Sequence, residues 1–237
     1  MHQMVFIHGP GAGGCAESFV HQLKHFSGSL APTLPGHLEG SPCPSVERYT
    51  EWLRGWLWSR DKRRDLVLVG FTLGACIALR YGLDYPDEVK ALVLMTVAMR
   101  PKERPRSAVE LRLKAAEDPE TYQKWLDLNR HNMMFIEPEL RERLIECHRK
   151  VGPMSQYHDF GVIDQFDVRN RIHTLKPPLL LIRGGDDPAS PPDYEMEIHR
   201  AVPGSHYLKL NHAGHFPFAE KPEEVNRAID EFLTSRA

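Results

Sequence analysis

The stretch Val67-Leu68-Val69-Gly70-Phe71-Thr72-Leu73-Gly74-Ala75 passes from an apolar run through glycine into a helix-forming segment. Apolar residues in succession, without polar alternation, are the pattern of a strand buried on both faces. Glycines two positions before and two after Thr72 mark a tight strand-to-helix turn. The central residue of such a turn is driven into a sparsely populated backbone region, and glycines at the flanking positions avoid clashes with it. A hydroxyl presented there stands at a helix N-terminus, where free amides and the helix dipole favour developing negative charge.

The same kind of strand recurs on both sides of this turn. Met4–Ile7 precedes His8-Gly9, Leu66–Val69 precedes Gly70, Leu179–Ile182 precedes Arg183-Gly184, and Ala91–Met95 and Tyr207–Leu210 complete the set. Between them the period changes to that of a helix. Ser45–Ser59 opens on a capping serine and repeats apolar residues at Val46, Tyr49, Trp52, Leu53 and Trp56. Leu73–Tyr85 stops before Pro86, and Pro222–Leu233 begins with proline and two glutamates. Strand and helix in alternation predict an α/β fold, a mostly parallel sheet with helices on both faces.

Residues 101–175 break the rhythm. They hold three charged helical patterns, Ser107–Glu117, Thr121–Asn132 and Pro138–Lys150, and a loop at His158, Asp159 and Gly161. The polar run Arg100–Arg106 leads in and Lys176-Pro177-Pro178 leads out, both reading as hinges. The expected organisation is a core of residues 1–100 and 176–237 with a helical cap, 101–175, over one edge of the sheet. The alternative is a pair of ordinary crossover helices with long loops.

Composition narrows the class. The 237 residues carry 30 Lys plus Arg against 32 Asp plus Glu, a net charge of −2, which gives no reason to expect nucleic acid or an anionic membrane as a partner. The 41% apolar and 26% charged fractions exclude collagen, coiled coil and wholesale disorder. No apolar run approaches the roughly 18 residues of a membrane span, and Met4–Ile7 is too short for a signal-peptide core. Cys15, Cys43, Cys76 and Cys147 form no close pair, which fits neither a disulfide framework nor a zinc site and suits a reducing cytoplasm.

In an open parallel sheet, ligands bind beyond the carboxyl ends of the strands. Gly70-Phe71-Thr72-Leu73-Gly74 stands at one such end and resembles the G-x-S-x-G nucleophile elbow of the α/β-hydrolase superfamily, with threonine in place of serine. The resemblance implies Thr72 as nucleophile. Its extra methyl crowds the attacking oxygen, so a slower enzyme than serine would give is expected. Three readings stay open: an active hydrolase using Thr72, a natural or engineered low-activity form, and a scaffold that no longer does acyl chemistry.

At the end of the first strand, His8-Gly9-Pro10-Gly11-Ala12-Gly13-Gly14 lacks the lysine of a phosphate cradle. The resemblance makes it an oxyanion loop, paired with the amide of Leu73. Pro10 follows His-Gly and has no N–H, so the donor shifts to Gly11 or, as the alternative, Ala12. After the fourth strand, Arg183-Gly184-Gly185-Asp186-Asp187-Pro188 supplies the acid, which the resemblance places at Asp187, with Asp186 as alternative and a simple Asp-Pro turn as the plainer reading. After the fifth, Asn211-His212-Ala213-Gly214-His215 matches the superfamily's histidine at His215. The chain order Thr72, Asp187, His215 is that of the superfamily's triad.

Thr33–Ser41, with Pro35-Gly36-His37, resembles the family's D-x-P-G-H-G-x-S loop. The likeness runs from Met4 to the last helix and is weakest in residues 101–175. Because the chain begins almost at the oxyanion strand, a sheet of about six strands is expected rather than eight.

What this implies is a cofactor-free, metal-free hydrolase of a small, apolar carboxylic ester or related acyl substrate. Two rivals remain: a lyase or C–C bond hydrolase using His215 as base without a covalent intermediate, and a silenced protein that only binds ligand. His21 and His25, four apart on a helix, lack a third metal ligand and read as a solvated face. Trp52 and Trp56 read as core and Trp58 as exposed, and Cys76 as a small packing residue. Trp125, Met133, Met134, Phe135, Met154, Tyr157 and Phe160 either line an apolar acyl pocket or form the cap's own core.

Overall fold

The computed structural model describes residues 2–11, 15–102, 105–190 and 193–235. Five strands form one sheet in chain order: β1 (Gln3–Ile7), β2 (Leu66–Phe71), β3 (Val89–Met95), β4 (Leu179–Gly184) and β5 (His206–Leu210). Every neighbouring pair is parallel. All five carboxyl ends therefore lie along one rim.

Ahead of β2 come α1 (Cys15–Ser18), α2 (Val20–His25) and α3 (Val46–Trp58), and α4 (Leu73–Asp84) joins β2 to β3. Four helices separate β3 from β4: α5 (Arg106–Ala115), α6 (Pro119–Asn132), α7 (Pro138–Val151) and α8 (Pro153–Ile163). Then α9 (Tyr194–Ala201) precedes β5, and α10 (Pro217–Glu220) and α11 (Pro222–Thr234) close the chain.

Adding parallel strands always in one direction stacks right-handed crossovers on one face of the sheet. Alternate residues of β1, Val5 and Ile7, accordingly belong to one core with Tyr49 and Leu53 of α3 and Ile77 of α4, which extends to Ile198 of α9. Met4 and Phe6 face the other way and belong to a second core with Val225, Ile229 and Phe232 of α11, Trp125 of α6 and Leu144 of α7. The helix ends follow local chemistry. Ser45 Oγ caps α3 by accepting from Arg48 N at 3.3 Å, and Asp118 caps α6 by accepting from Thr121 N at 2.7 Å.

Two expectations need correction. The sheet has five strands among the described residues rather than about six. The place beside β1 is held by Leu30 alone, whose N–H donates to Met4 O at 2.9 Å and whose carbonyl accepts from Phe6 N at 2.8 Å. Pro32 and Pro35 follow and have no N–H with which to extend that ladder. The segment containing His158, Asp159 and Gly161 is not a loop but part of α8. Pro153 opens that helix, and Asp159 is fixed inside the molecule, 2.9 Å from His37 Nε2 and accepting from the Tyr49 hydroxyl at 3.3 Å. Tertiary contacts there outweigh the loop-forming tendency of Asp and Gly.

Candidate active site

The turn after β2 is held by close backbone approach. A Cβ on Gly70 would fall 2.4 Å from Gly74 O, and one on Gly74 would fall 2.0 Å from Ile7 O. Both must be glycine for the strand and the helix to meet. Thr72 N donates to Met95 O and Gly74 N to His8 O, each at 3.0 Å, so the turn is stitched to β3 and to the loop after β1. Thr72 itself adopts φ 47°, ψ −107°, a conformation that β-branched residues rarely accept. Its hydroxyl is buried and makes no hydrogen bond with His215 or any other described group. It lies against Gly9, where a Cβ would come within 2.2 Å of Thr72 Oγ1.

Asp187 and His215 are brought together. His215 Nδ1 donates to Asp187 Oδ2 at 2.9 Å, with Oδ1 at 3.1 Å. This leaves Nε2 as the ring's reactive nitrogen. The pair meets because β4 and the loop after β5 touch backbone to backbone: a Cβ on Gly184 would fall 1.9 Å from Gly214 O, and Asp186 N donates to Ala213 O at 2.9 Å. Asp187 also accepts from Ala189 N at 2.8 Å and Ser190 N at 3.2 Å. Burial alone would raise its pKa, but the adjacent imidazole, the amide of Ala189 and the nearby Lys102 charge hold it below the usual carboxylate range. Asp186 is exposed and stands 4.0 Å from His212, away from the His215 ring.

Glu220 and Thr96, which sequence reasoning missed, and His8 of the loop after β1 complete the support. Glu220, at the end of α10, accepts from Gly214 N, and from Phe216 N at 3.2 Å, and so clamps both flanks of His215. Thr96 Oγ1 donates to His215 O at 3.3 Å from the end of β3. His8 is fully buried: Leu34 N donates to its Nε2 at 2.9 Å, so its Nδ1–H donates to Gly9 O at 2.7 Å. Burial and the neighbouring His37 push its pKa down to about 3, so it is a neutral pin for the His-Gly loop.

On the oxyanion side, Leu73 begins α4, so its N–H is not consumed by the helix. Gly11 has φ +69° and lies against His148 and Gln156. Ala12, the alternative donor, is outside the described residues, as are Glu103 and Arg104 of the expected hinge.

Thr72 and His215 share a cavity of about 640 Å³ between the strand-end rim and helices α5–α8. From the helices it is lined by Arg112, Asn129, His148, Gln156 and Phe160, a more polar wall than the sequence suggests. Of the aromatic and methionine set, Phe160 lines the cavity, Trp125 and Met133 are core, and Phe135 and Met154 are exposed. Cys76 also reaches the wall. His25 pairs with Asp230 at 2.7 Å. Among the described residues no cluster of three or more His, Cys, Asp or Glu could hold a metal ion, and no helix is long and apolar enough to cross a membrane.

This rim of parallel strands, with a strained turn after one and an Asp–His pair spanning two others, is the ground plan of an α/β-hydrolase. The sequence profile of the Alpha/beta hydrolase family matches residues 4–228, and the chain belongs to that family. It is 25% identical over 183 residues to the AB hydrolase superfamily protein YisY of Bacillus subtilis, covering 72% of this chain and 67% of that one. It is 22% identical over 244 residues to a pimeloyl-[acyl-carrier protein] methyl ester esterase of Chromobacterium violaceum, covering 99% and 95%. The solved structure of a thermophilic esterase from Thermogutta terrifontis superposes with a TM-score of 0.83 at 23% identity, over 100% of this chain and 90% of that one, a likeness of fold.

Proposed function

We propose that the chain hydrolyses a small carboxylic ester or related acyl compound, with Thr72, His215 and Asp187 as its triad and α5–α8 as its cap. The single observation that carries this reading is the Asp187–His215 pair, 2.9 Å apart, whose imidazole lines one cavity with the hydroxyl at position 72. In the first step Thr72 Oγ1 bonds to the acyl carbon while its proton passes to His215 Nε2. The N–H groups of Leu73 and Gly11 receive the oxyanion. As the intermediate collapses, His215 returns the proton to the leaving oxygen and the acyl group stays on Thr72. Water, deprotonated by His215, then releases the acid and restores the hydroxyl. Asp187 holds the ring with Nδ1 protonated and stabilises it when it is charged. Cys43, Cys76 and Cys147 form no disulfide among the described residues, and unbridged cysteines support a reducing, cytoplasmic setting.

A second reading is favoured by one observation, the absence of a hydrogen bond between Thr72 and His215. In it, His215 acts as a base on substrate or water and no covalent intermediate forms. A panel of p-nitrophenyl esters assayed with wild type, Thr72→Ser, Thr72→Ala and His215→Ala separates the two. The acyl route expects both alanine variants to lose turnover and serine to retain or raise it. Undiminished rates in Thr72→Ala support the base-only route, and no turnover by any form supports a protein that only binds ligand.

A further inference from the structure

We propose that the cavity contains a second recognition site, for a carboxylate arm on the acyl side of the substrate, with His148 of α7 as the contact residue and Arg112 of α5 supplying positive charge beside it.

Each of the four helices between β3 and β4 sends a polar side chain to the same place. Arg112 Nε donates to Gln156 Oε1 at 2.8 Å, and Trp125 Nε1 donates to the same oxygen at 2.7 Å. Gln156 Nε2 in turn donates to Asn129 Oδ1 at 3.2 Å. Arg112, Asn129 and Gln156 are at most 6% exposed and all line the cavity. A polar network this deep orients its members firmly, so the guanidinium is held in one place. His148, from α7, is different. It is 1% exposed and lines the same cavity, yet among the described residues neither ring nitrogen has a hydrogen-bond partner. Folded proteins rarely leave buried polar atoms unpaired, and those that are left so call for a reason such as a ligand.

The ring's position is fixed by its neighbours. It makes a T-shaped contact with Trp125, centroids 5.9 Å apart, and its Nδ1 would lie 3.2 Å from a Cβ on Gly11. It therefore sits against Gly11, the residue assigned as an oxyanion donor, in the cavity that Thr72 also lines. Burial, and then the Arg112 charge, push its pKa down to about 3, so at neutral pH it offers one N–H and one lone pair. The charge around it selects the class of ligand. Lys102 and Arg112 line the cavity, and no Asp or Glu does so among the described residues. A low-dielectric pocket with that balance raises the local concentration of anions. Phe71, Phe160 and Phe216 supply apolar wall, which suits a short methylene chain between the ester and a free carboxylate. The arm is thus that of a half-ester of a short dicarboxylic acid.

The inference rests on the hydrolase reading only for turnover, so binding is measured alongside. Monomethyl and dimethyl glutarate share a chain and differ in the charge of the distal group. The wild type is expected to favour the monoester in kcat/KM by about tenfold or more, chiefly through KM. His148→Phe, close in shape but without donors, should bring the ratio near one, and His148→Asn should recover part of it. Glutarate itself should bind the wild type in calorimetry and bind His148→Phe at least about fivefold more weakly. Arg112→Gln, which keeps a donor for Gln156 and removes the charge, should weaken glutarate similarly and serves as the test should His148→Phe fail to fold. Ester hydrolysis with no preference for the monoester overturns the carboxylate site and leaves the hydrolase reading standing. Glutarate binding lost in His148→Phe, with neither ester turned over, keeps the site and removes the hydrolase reading. Preference and glutarate affinity both unchanged in His148→Phe and in Arg112→Gln would end the proposal.

Discussion

Replacing Thr72 with serine is expected to raise ester turnover. At φ 47°, ψ −107° the side chain has two γ substituents where a serine has one. Its hydroxyl is pressed against Gly9 and is not bonded to His215. To attack a carbonyl it must turn towards the imidazole, and the methyl must then find room between Gly9 and the Phe71 ring, which already lies 2.7 Å from a Cβ position on Gly9. A side chain held some 30° off its rotamer costs about 0.5–1.5 kcal/mol. At about 1.4 kcal/mol per factor of ten, serine should raise kcat by about two- to twelvefold. Stability should hardly change, because losing one buried methyl costs about 0.8 kcal/mol while relief of a β-branched residue at positive φ returns a similar amount. The assay is kcat and KM on p-nitrophenyl butyrate, with thermal melts of both proteins. A kcat in Thr72→Ser equal to or below that of the wild type, with melting unchanged, would refute the crowding argument.

Gly184→Ala places a methyl where Gly214 O stands 1.9 Å away, so β4 and the His215 loop must part; urea unfolding should show a loss of about 1–3 kcal/mol, with activity falling further than stability. Asp187 has a depressed pKa in the folded chain, so its contribution to stability is present above the unfolded value near ~3.9 and is lost as pH falls through the lower folded value. Asp187→Asn should therefore be less stable than wild type at pH 6–7, with the gap closing below about pH 4, and its kcat should fall roughly 10⁴-fold. Asp159 and His37 form a pair only 1% exposed on each side, and Asp159→Ala, which leaves the ring without its acid, should cost about 3–5 kcal/mol in chemical denaturation.

Much of this molecule is legible in its sequence because buried parallel strands have to be apolar throughout. The first four strand segments follow from that rule, and the helices that begin at Ser45 and Pro222 from their period and end-capping chemistry; β5 keeps only Leu210 buried. The turn at Thr72 is legible because backbone contact at Gly70 and Gly74 excludes any side chain. The sixth strand was an extension from the superfamily likeness, and Pro32 and Pro35 mark locally why the ladder stops at Leu30. The helix at Asp159 was hidden because its stability depends on His37 and Tyr49, more than a hundred residues away in the chain. His148 left a faint signal: it follows Leu140 and Leu144 at intervals of four, on the buried face of α7. Glu220 left none, since its partners are backbone amides of a loop.

The central claim is that the hydroxyl at position 72 is the nucleophile, and covalent capture tests it most directly. Thr72 Oγ1 should bond to the phosphorus of a fluorophosphonate as fluoride leaves and the hydroxyl proton passes to His215, and the adduct should appear by mass spectrometry on the tryptic peptide from Asp65 to Arg80. The account predicts that adduct in the wild type, faster labelling in Thr72→Ser, and none in Thr72→Ala. Ester hydrolysis proceeding at full rate with residue 72 unlabelled would contradict it.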